Sequence, residues 1–155
     1  MAFNPLMVSL VLLIIIVVLC CISSWYVGEQ LILLSGRNQV PPNNSAGKGV
    51  MHVNLVNGDS ALDYDIVVGD LTTPVTASHF HLGRAGENGP ILVGVPLVRY
   101  NDNGKVIYKA TGTWRFVNSE THAGNIINEI RNGNVYFNVH TERYPEGELR
   151  AQIHV

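Results

Sequence analysis

Along the chain the apolar positions fall into distinct regimes. Residues 6–22 carry one conventional polar side chain, Ser9, and the apolar character runs on through Trp25, Tyr26 and Val27. As helix, these 22 residues would extend about 33 Å, enough to cross a hydrocarbon core of about 30 Å. Helix is the form lipid demands, because nothing there satisfies exposed backbone N–H and C=O groups. Trp25 and Tyr26 stand where an interfacial aromatic belt belongs, and Pro5 falls near a first helical turn. A cleaved signal peptide fits less well: no Lys or Arg precedes the run, the run exceeds an ordinary h-region, and no A-x-A site follows. A lipoprotein anchor would want a small residue before Cys20, where Leu19 stands. The pattern predicts an uncleaved transmembrane α-helix within residues 1–30, followed by a domain over residues 31–155.

Beyond the run the period changes. Residues 35–48 are rich in turn formers, among them Gly36, Pro41, Pro42, Asn43, Asn44 and Gly47, and read by composition as a linker. Alternation then takes over. Met51, Val53 and Leu55 share one face, Asn57-Gly58-Asp59 makes a turn, and Leu62, Tyr64, Ile66 and Val68 line the returning strand. Further strands are predicted over residues 78–82, 91–97, 106–116, 135–140 and 148–155, with Asn101-Asp102-Asn103-Gly104 as a turn between two of them. Over residues 121–131, Ile126, Ile127 and Ile130 fall at helical spacing, with Thr121 or Ser119 as the cap and Gly133 as the stop. Short strands with one short helix predict a mainly β fold, a Greek-key β-sandwich.

Charge sharpens the division. All 22 Lys, Arg, Asp and Glu residues lie from Glu29 onward, and they nearly balance, at 10 basic against 12 acidic. No run of cations exists, so nucleic acid is excluded as a partner, since binding it needs clustered positive charge. The only cysteines, Cys20 and Cys21, lie in the apolar run, so the domain has no disulfide framework. No G-x-S-x-G, Walker loop or H-E-x-x-H occurs. Gly83, Gly86 and Gly89 follow a predicted strand but lead into no helix whose N-terminus could hold a phosphate.

The chemistry-bearing feature is Ser78-His79-Phe80-His81-Leu82-Gly83. Residues two apart in a strand share a face, so His79 and His81 project together, opposite Phe80. In Val135-Tyr136-Phe137-Asn138-Val139-His140-Thr141 the same alternation sends Val135, Phe137 and Val139 to the core and Tyr136, Asn138 and His140 outward. If the two strands are neighbours, three imidazoles converge. His-x-His with a distant His suits copper or zinc, because imidazole nitrogen is a borderline ligand and three ligands leave one position open. The alternative is that His79, His81 and His140 hydrogen-bond loop backbone and hold the loop at residues 86–90. His52, His122 and His154 read as edge or solvated histidines. Glu148 and Arg150 share a strand face and read either as an acid and its activator or, in better keeping with common surface pairs, as a structural ion pair near the Pro145-Glu146-Gly147 turn.

In those two segments the sequence resembles the CHRD family, first described in chordin and found in bacterial extracytoplasmic proteins. The likeness rests on Ser78 to Gly83 with Gly86, Asn88, Gly89 and Pro90, and on Gly133 to Thr141 with Tyr144 to Ile153. Leu34 to Pro42 resembles the family's first strand, with Gln39 where Glu is usual. Phe80 replaces an aliphatic residue and Ala151 a common glycine. The resemblance covers residues 31–155, implies that residues 35–42 are strand and turn rather than linker, and implies export. That implication outweighs the feeble charge rule, in which Arg37 and Lys48 after the run favour a cytoplasmic domain. The His-x-His strand is also faintly similar to copper/zinc superoxide dismutases. No bridging histidine or carboxylate-bearing zinc site accompanies it, so dismutase activity is not expected.

Three functions remain in view. The first is a non-catalytic, single-span accessory subunit of a membrane complex, photosynthetic or respiratory, in the cell's inner membrane. Its domain would lie in the periplasm, and its partners would be other transmembrane subunits and the lipid bilayer. The second is a copper- or zinc-binding or redox protein using His79, His81 and His140. The third is a surface adhesion or ligand-binding module.

Overall fold

The computed structural model describes residues 30–116 and 123–155. The proposed membrane anchor, the helix caps Ser119 and Thr121, and His122 all lie outside the described residues. Among those described, no helix is long and apolar enough to cross a membrane.

Among the described residues, nine antiparallel strands form one hydrogen-bonded sheet. They are β1 (Gln30–Ser35), β2 (Lys48–Val56), β3 (Ala61–Gly69), β4 (Val75–Leu82), β5 (Ile91–Gly94), β6 (Val98–Asp102), β7 (Lys105–Arg115), β8 (Val135–Thr141) and β9 (Leu149–Ile153). One helix, α1 (Ala123–Arg131), precedes β8. The spatial order is β5-β4-β8-β9-β1-β2-β3-β7-β6. The fold is therefore mainly β with one short helix, as alternation predicts. The two sheets of a Greek-key sandwich are here a single sheet that curls on itself. Its halves join at one bridge, Ser35 of β1 with Arg150 of β9. The inner faces meet across the fold: the Phe80 ring of β4 stacks on Trp114 of β7 at 5.4 Å and 13°. Phe80 also meets Tyr64 of β3 at 5.7 Å and Phe137 of β8 at 5.0 Å.

Local chemistry explains the elements. Asn57, Gly58 and Asp59 all take positive φ, which Asn, Asp and Gly tolerate, and they turn β2 into β3. Asn103 and Gly104 do the same between β6 and β7. Helix α1 buries Ile126 and Ile130 against the core. It stops at Gly133, whose φ of 68° suits glycine. There Gly133 N donates to Ile130 O at 3.0 Å and Asn134 N to Glu129 O at 2.8 Å, the paired bonds of a Schellman motif.

The structure moves two expected boundaries. The first strand is Gln30–Ser35, not residues 35–42, where a 3-10 turn (Gly36–Asn38) follows instead. Ile32 and Leu34 face inward while Leu31 and Leu33 face out. Four apolar residues in a row hide that alternation from the sequence. Strand β6 was not expected, because all five of its residues are exposed and show no period.

Candidate metal centre

Strand β8 is buried along both faces. Val135, Phe137 and Val139 are covered by the core, while loops cover the outer side. That is why Tyr136 and Asn138 are buried polar residues, at 2% and 4% exposed. Gln39 Nε2 donates to Asn138 Oδ1 at 2.6 Å, and Asn138 Nδ2 donates to Glu146 O at 3.4 Å. These bonds tie the loop before β2 and the loop after β8 to the outer face.

Strands β4 and β8 are neighbours, with His81 opposite Tyr136, His79 opposite Asn138 and Ala77 opposite His140. The three imidazoles therefore share this face. Ring centroids lie 5.6 Å apart for His79 and His81, 5.2 Å for His79 and His140, and 6.2 Å for His81 and His140. One nitrogen from each ring lies within 4.8 Å of the others. His79 Nδ1, His81 Nε2 and His140 Nε2 are buried and have no hydrogen-bond partner among the described residues.

Two of the rings are oriented by backbone. His81 Nδ1 lies 3.0 Å from Gly89 O, and His140 Nδ1 lies 2.8 Å from Pro145 O. A carbonyl oxygen only accepts, so each Nδ1 carries the proton and each Nε2 is left with a lone pair. Burial lowers the pKa of His79, helped by charge on His140. Burial also lowers that of His81; the bond to Gly89 opposes this, and His79, His140 and Arg150 reinforce it. Both rings are thereby favoured in the neutral form that a metal ligand needs.

The loop between β4 and β5 is pinned where it supplies the Gly89 carbonyl. Gly89 N donates to the Tyr136 hydroxyl at 3.2 Å, and Leu82 N donates to Pro90 O at 3.0 Å. A side chain at Gly89 would overlap the Leu82 carbonyl oxygen, so only glycine permits this approach. The Tyr136 ring lies parallel to His81 at 4.8 Å and 8°, and the Arg150 guanidinium sits 3.5 Å over Tyr136.

The sequence pattern places all three histidines on one face, and the structure brings them together. It does not reveal Gly89 and Pro145, which act through main-chain carbonyls, or the stacked pair Tyr136 and Arg150. The outward alternation of Tyr136, on the same strand face as His140, was the available signal for the latter. His52 lies in β2, in the other half of the sheet, and His154 follows β9; neither joins the cluster.

The expected ion pair between Glu148 and Arg150 does not form. Glu148 is fully buried, and its oxygens accept from Ser45 Oγ at 2.5 Å, Thr72 N at 3.0 Å, Thr72 Oγ1 at 3.0 Å and Thr141 Oγ1 at 2.7 Å. Arg150 points instead to Tyr136 and to neutral acceptors on the β4–β5 loop.

Searches of curated proteins and of solved structures each return no match. A family model, the CHRD domain, matches residues 31–153. That match spans every described strand from the second residue of β1 to the end of β9, and the chain belongs to the CHRD domain family.

Proposed function

We propose that the domain binds one transition-metal ion, copper or zinc, through His79 Nδ1, His81 Nε2 and His140 Nε2. The observation that carries this reading is that three histidines, each with a buried, partnerless ring nitrogen, bring a ligand atom apiece to within 4.8 Å of one another. Buried polar atoms without partners are costly, and lone pairs facing each other are costlier still. A metal ion relieves both. Three neutral imidazoles without thiolate or carboxylate suit copper or zinc and disfavour calcium or magnesium, which take oxygen ligands. Metal–nitrogen bonds of about 2.0–2.1 Å place tetrahedral ligands about 3.4 Å apart. Small side-chain rotations would draw the nitrogens inward from their present spacing. The carbonyls of Gly89 and Pro145 act as the outer partners that orient such ligands. The fourth position remains for water or a ligand.

The test is metal content and calorimetry on the full chain. One equivalent of copper or zinc should bind, and His79→Ala with His81→Ala should abolish binding while His154→Ala leaves it intact. Sub-stoichiometric metal, or unchanged affinity in the double variant, would end the proposal.

A second reading has its own observation. Leu31, Leu33 and Val50 are 56%, 66% and 36% exposed on the outer face of β1 and β2. This face begins four residues after the apolar run over residues 6–27. It supports a domain held against membrane partners as an accessory subunit, on the extracytoplasmic side that the family's usual setting suggests. Copurification with a defined complex from mild detergent is the expected result; quantitative recovery as a solitary monomer contradicts it.

A further inference from the structure

A buried guanidinium normally has a carboxylate beside it, because a charge taken out of water needs compensation. Arg150 has none. It is 1% exposed, yet its N–H groups meet only neutral acceptors: Asn88 Oδ1 at 3.3 Å, Arg84 O at 2.8 Å and Gln152 Oε1 at 3.4 Å. Those bonds use three of the five donors that a guanidinium carries. The remaining two have no acceptor among the described residues. The side chain is also held in place. Gln152 Nε2 donates to Gly83 O and Gly133 O, each at 2.7 Å, which turns its Oε1 toward Arg150.

Arg150 lines a cavity of about 480 Å³ between the 3-10 turn and the β4–β5 loop. A second cation, Arg37, lines the same cavity, and no Asp or Glu does so among the described residues. Val40, Pro42 and Ala85 add apolar wall. Two cations without a counter-charge make a field that favours an anion, and the volume exceeds what a bare oxyanion fills. A planar guanidinium is matched to carboxylate and phosphate oxygens. We propose that this cavity binds a small organic anion, its carboxylate or phosphate group on Arg150 and Arg37 and its carbon skeleton against Val40, Pro42 and Ala85.

The cavity lies one ring away from the histidine cluster, since Arg150 rests on Tyr136 and Tyr136 stacks on His81, and its ligand is held without metal. Calorimetry on the full chain, with chelator present, would use benzoate, phenyl phosphate, inorganic phosphate and uncharged benzamide as probes. Saturable one-to-one binding of benzoate or phenyl phosphate is expected, with benzamide silent. The tighter of the two identifies the head group. Arg37→Ala removes an exposed cation. Gly86→Asp sets a carboxylate on the cavity wall, where nothing lies within 4 Å of the added Cβ and Asp tolerates a φ of 83° better than most residues. Each variant should weaken binding about tenfold or more, while Lys105→Ala, which removes an exposed cation at the start of β7 and away from the cavity, should leave it unchanged. No saturable binding, affinity unchanged from the parent in both cavity variants, or inorganic phosphate binding as tightly as phenyl phosphate would overturn the proposal.

Discussion

At the scale of single residues, the histidine cluster owes its character to two main-chain carbonyls and to burial. Gly89 O and Pro145 O accept from Nδ1 of His81 and His140. Burial opposes a further proton on His79 and His81. The pH dependence follows with a definite sign. His79 and His81 have folded-state pKa values below the ordinary imidazole value of about 6.5. On acidification the unfolded chain therefore binds protons that the folded chain refuses, and stability is lost as pH falls through and below about 6.5. The melting temperature of metal-free protein should drop between pH 7.5 and 5. In a His79→Gln, His81→Gln variant the slope over that interval should flatten. An identical slope in the variant would show that the acid sensitivity originates elsewhere. Added zinc or copper should raise the melting point at neutral pH and lose that effect in acid, because protons and metal compete for the same lone pairs.

The elements differ in how far they stand on their own. A nine-residue helix such as α1 is too short to persist in water, so its order comes from packing Ile126 and Ile130 into the core. Ile130 is fully buried. Ile130→Ala should cost about 2–4 kcal/mol. Amide exchange should quicken first across α1 while β2 and β3 stay protected; uniform quickening over the sheet would mean that α1 unfolds only with the whole domain. At the sheet's margin β6 buries nothing, and it is held by hydrogen bonds to β7 and by the Asn103-Gly104 turn. Such an edge is ordered by its partner rather than by its own composition.

Over the whole molecule, the loops turn an ordinary outer sheet face into a buried one. Glu148 is central to that cover: its carboxylate gathers Ser45 from the loop before β2, Thr72 from the β3–β4 connection and Thr141 from β8. Removing it leaves the buried Thr141 hydroxyl and the less covered donors of Ser45 and Thr72 without their acceptor. Glu148→Ala should lower the free energy of unfolding by about 3 kcal/mol or more, with Glu148→Gln milder because hydroxyls can turn to suit an amide. A urea midpoint for Glu148→Ala within error of the parent would show that the loops hold without it. Loosened cover should also lower metal affinity at the histidines, since Pro145, whose carbonyl orients His140, lies in the same loop.

Some of this was readable before any coordinates. Strand alternation placed His79, His81 and His140 on one face, the helical spacing of Ile126 and Ile130 and the glycine at 133 located α1, and Asn-Gly pairs marked hairpins. Each of these depends on near neighbours along the chain, where period and turn chemistry act directly. The first strand was obscured because Leu31 to Leu34 are all apolar, and β6 because none of its residues is buried. The curl that merges two expected layers into one sheet depends on which strands pair, as does the adjacency of β4 and β8. The carbonyls of Gly89 and Pro145, and the uncompensated charge of Arg150, depend on contacts between residues far apart in sequence. Main-chain groups are the same at every position and leave no compositional trace, and a salt bridge predicted from two residues on one strand face can be outcompeted by hydroxyls and loop carbonyls that only the folded chain brings near.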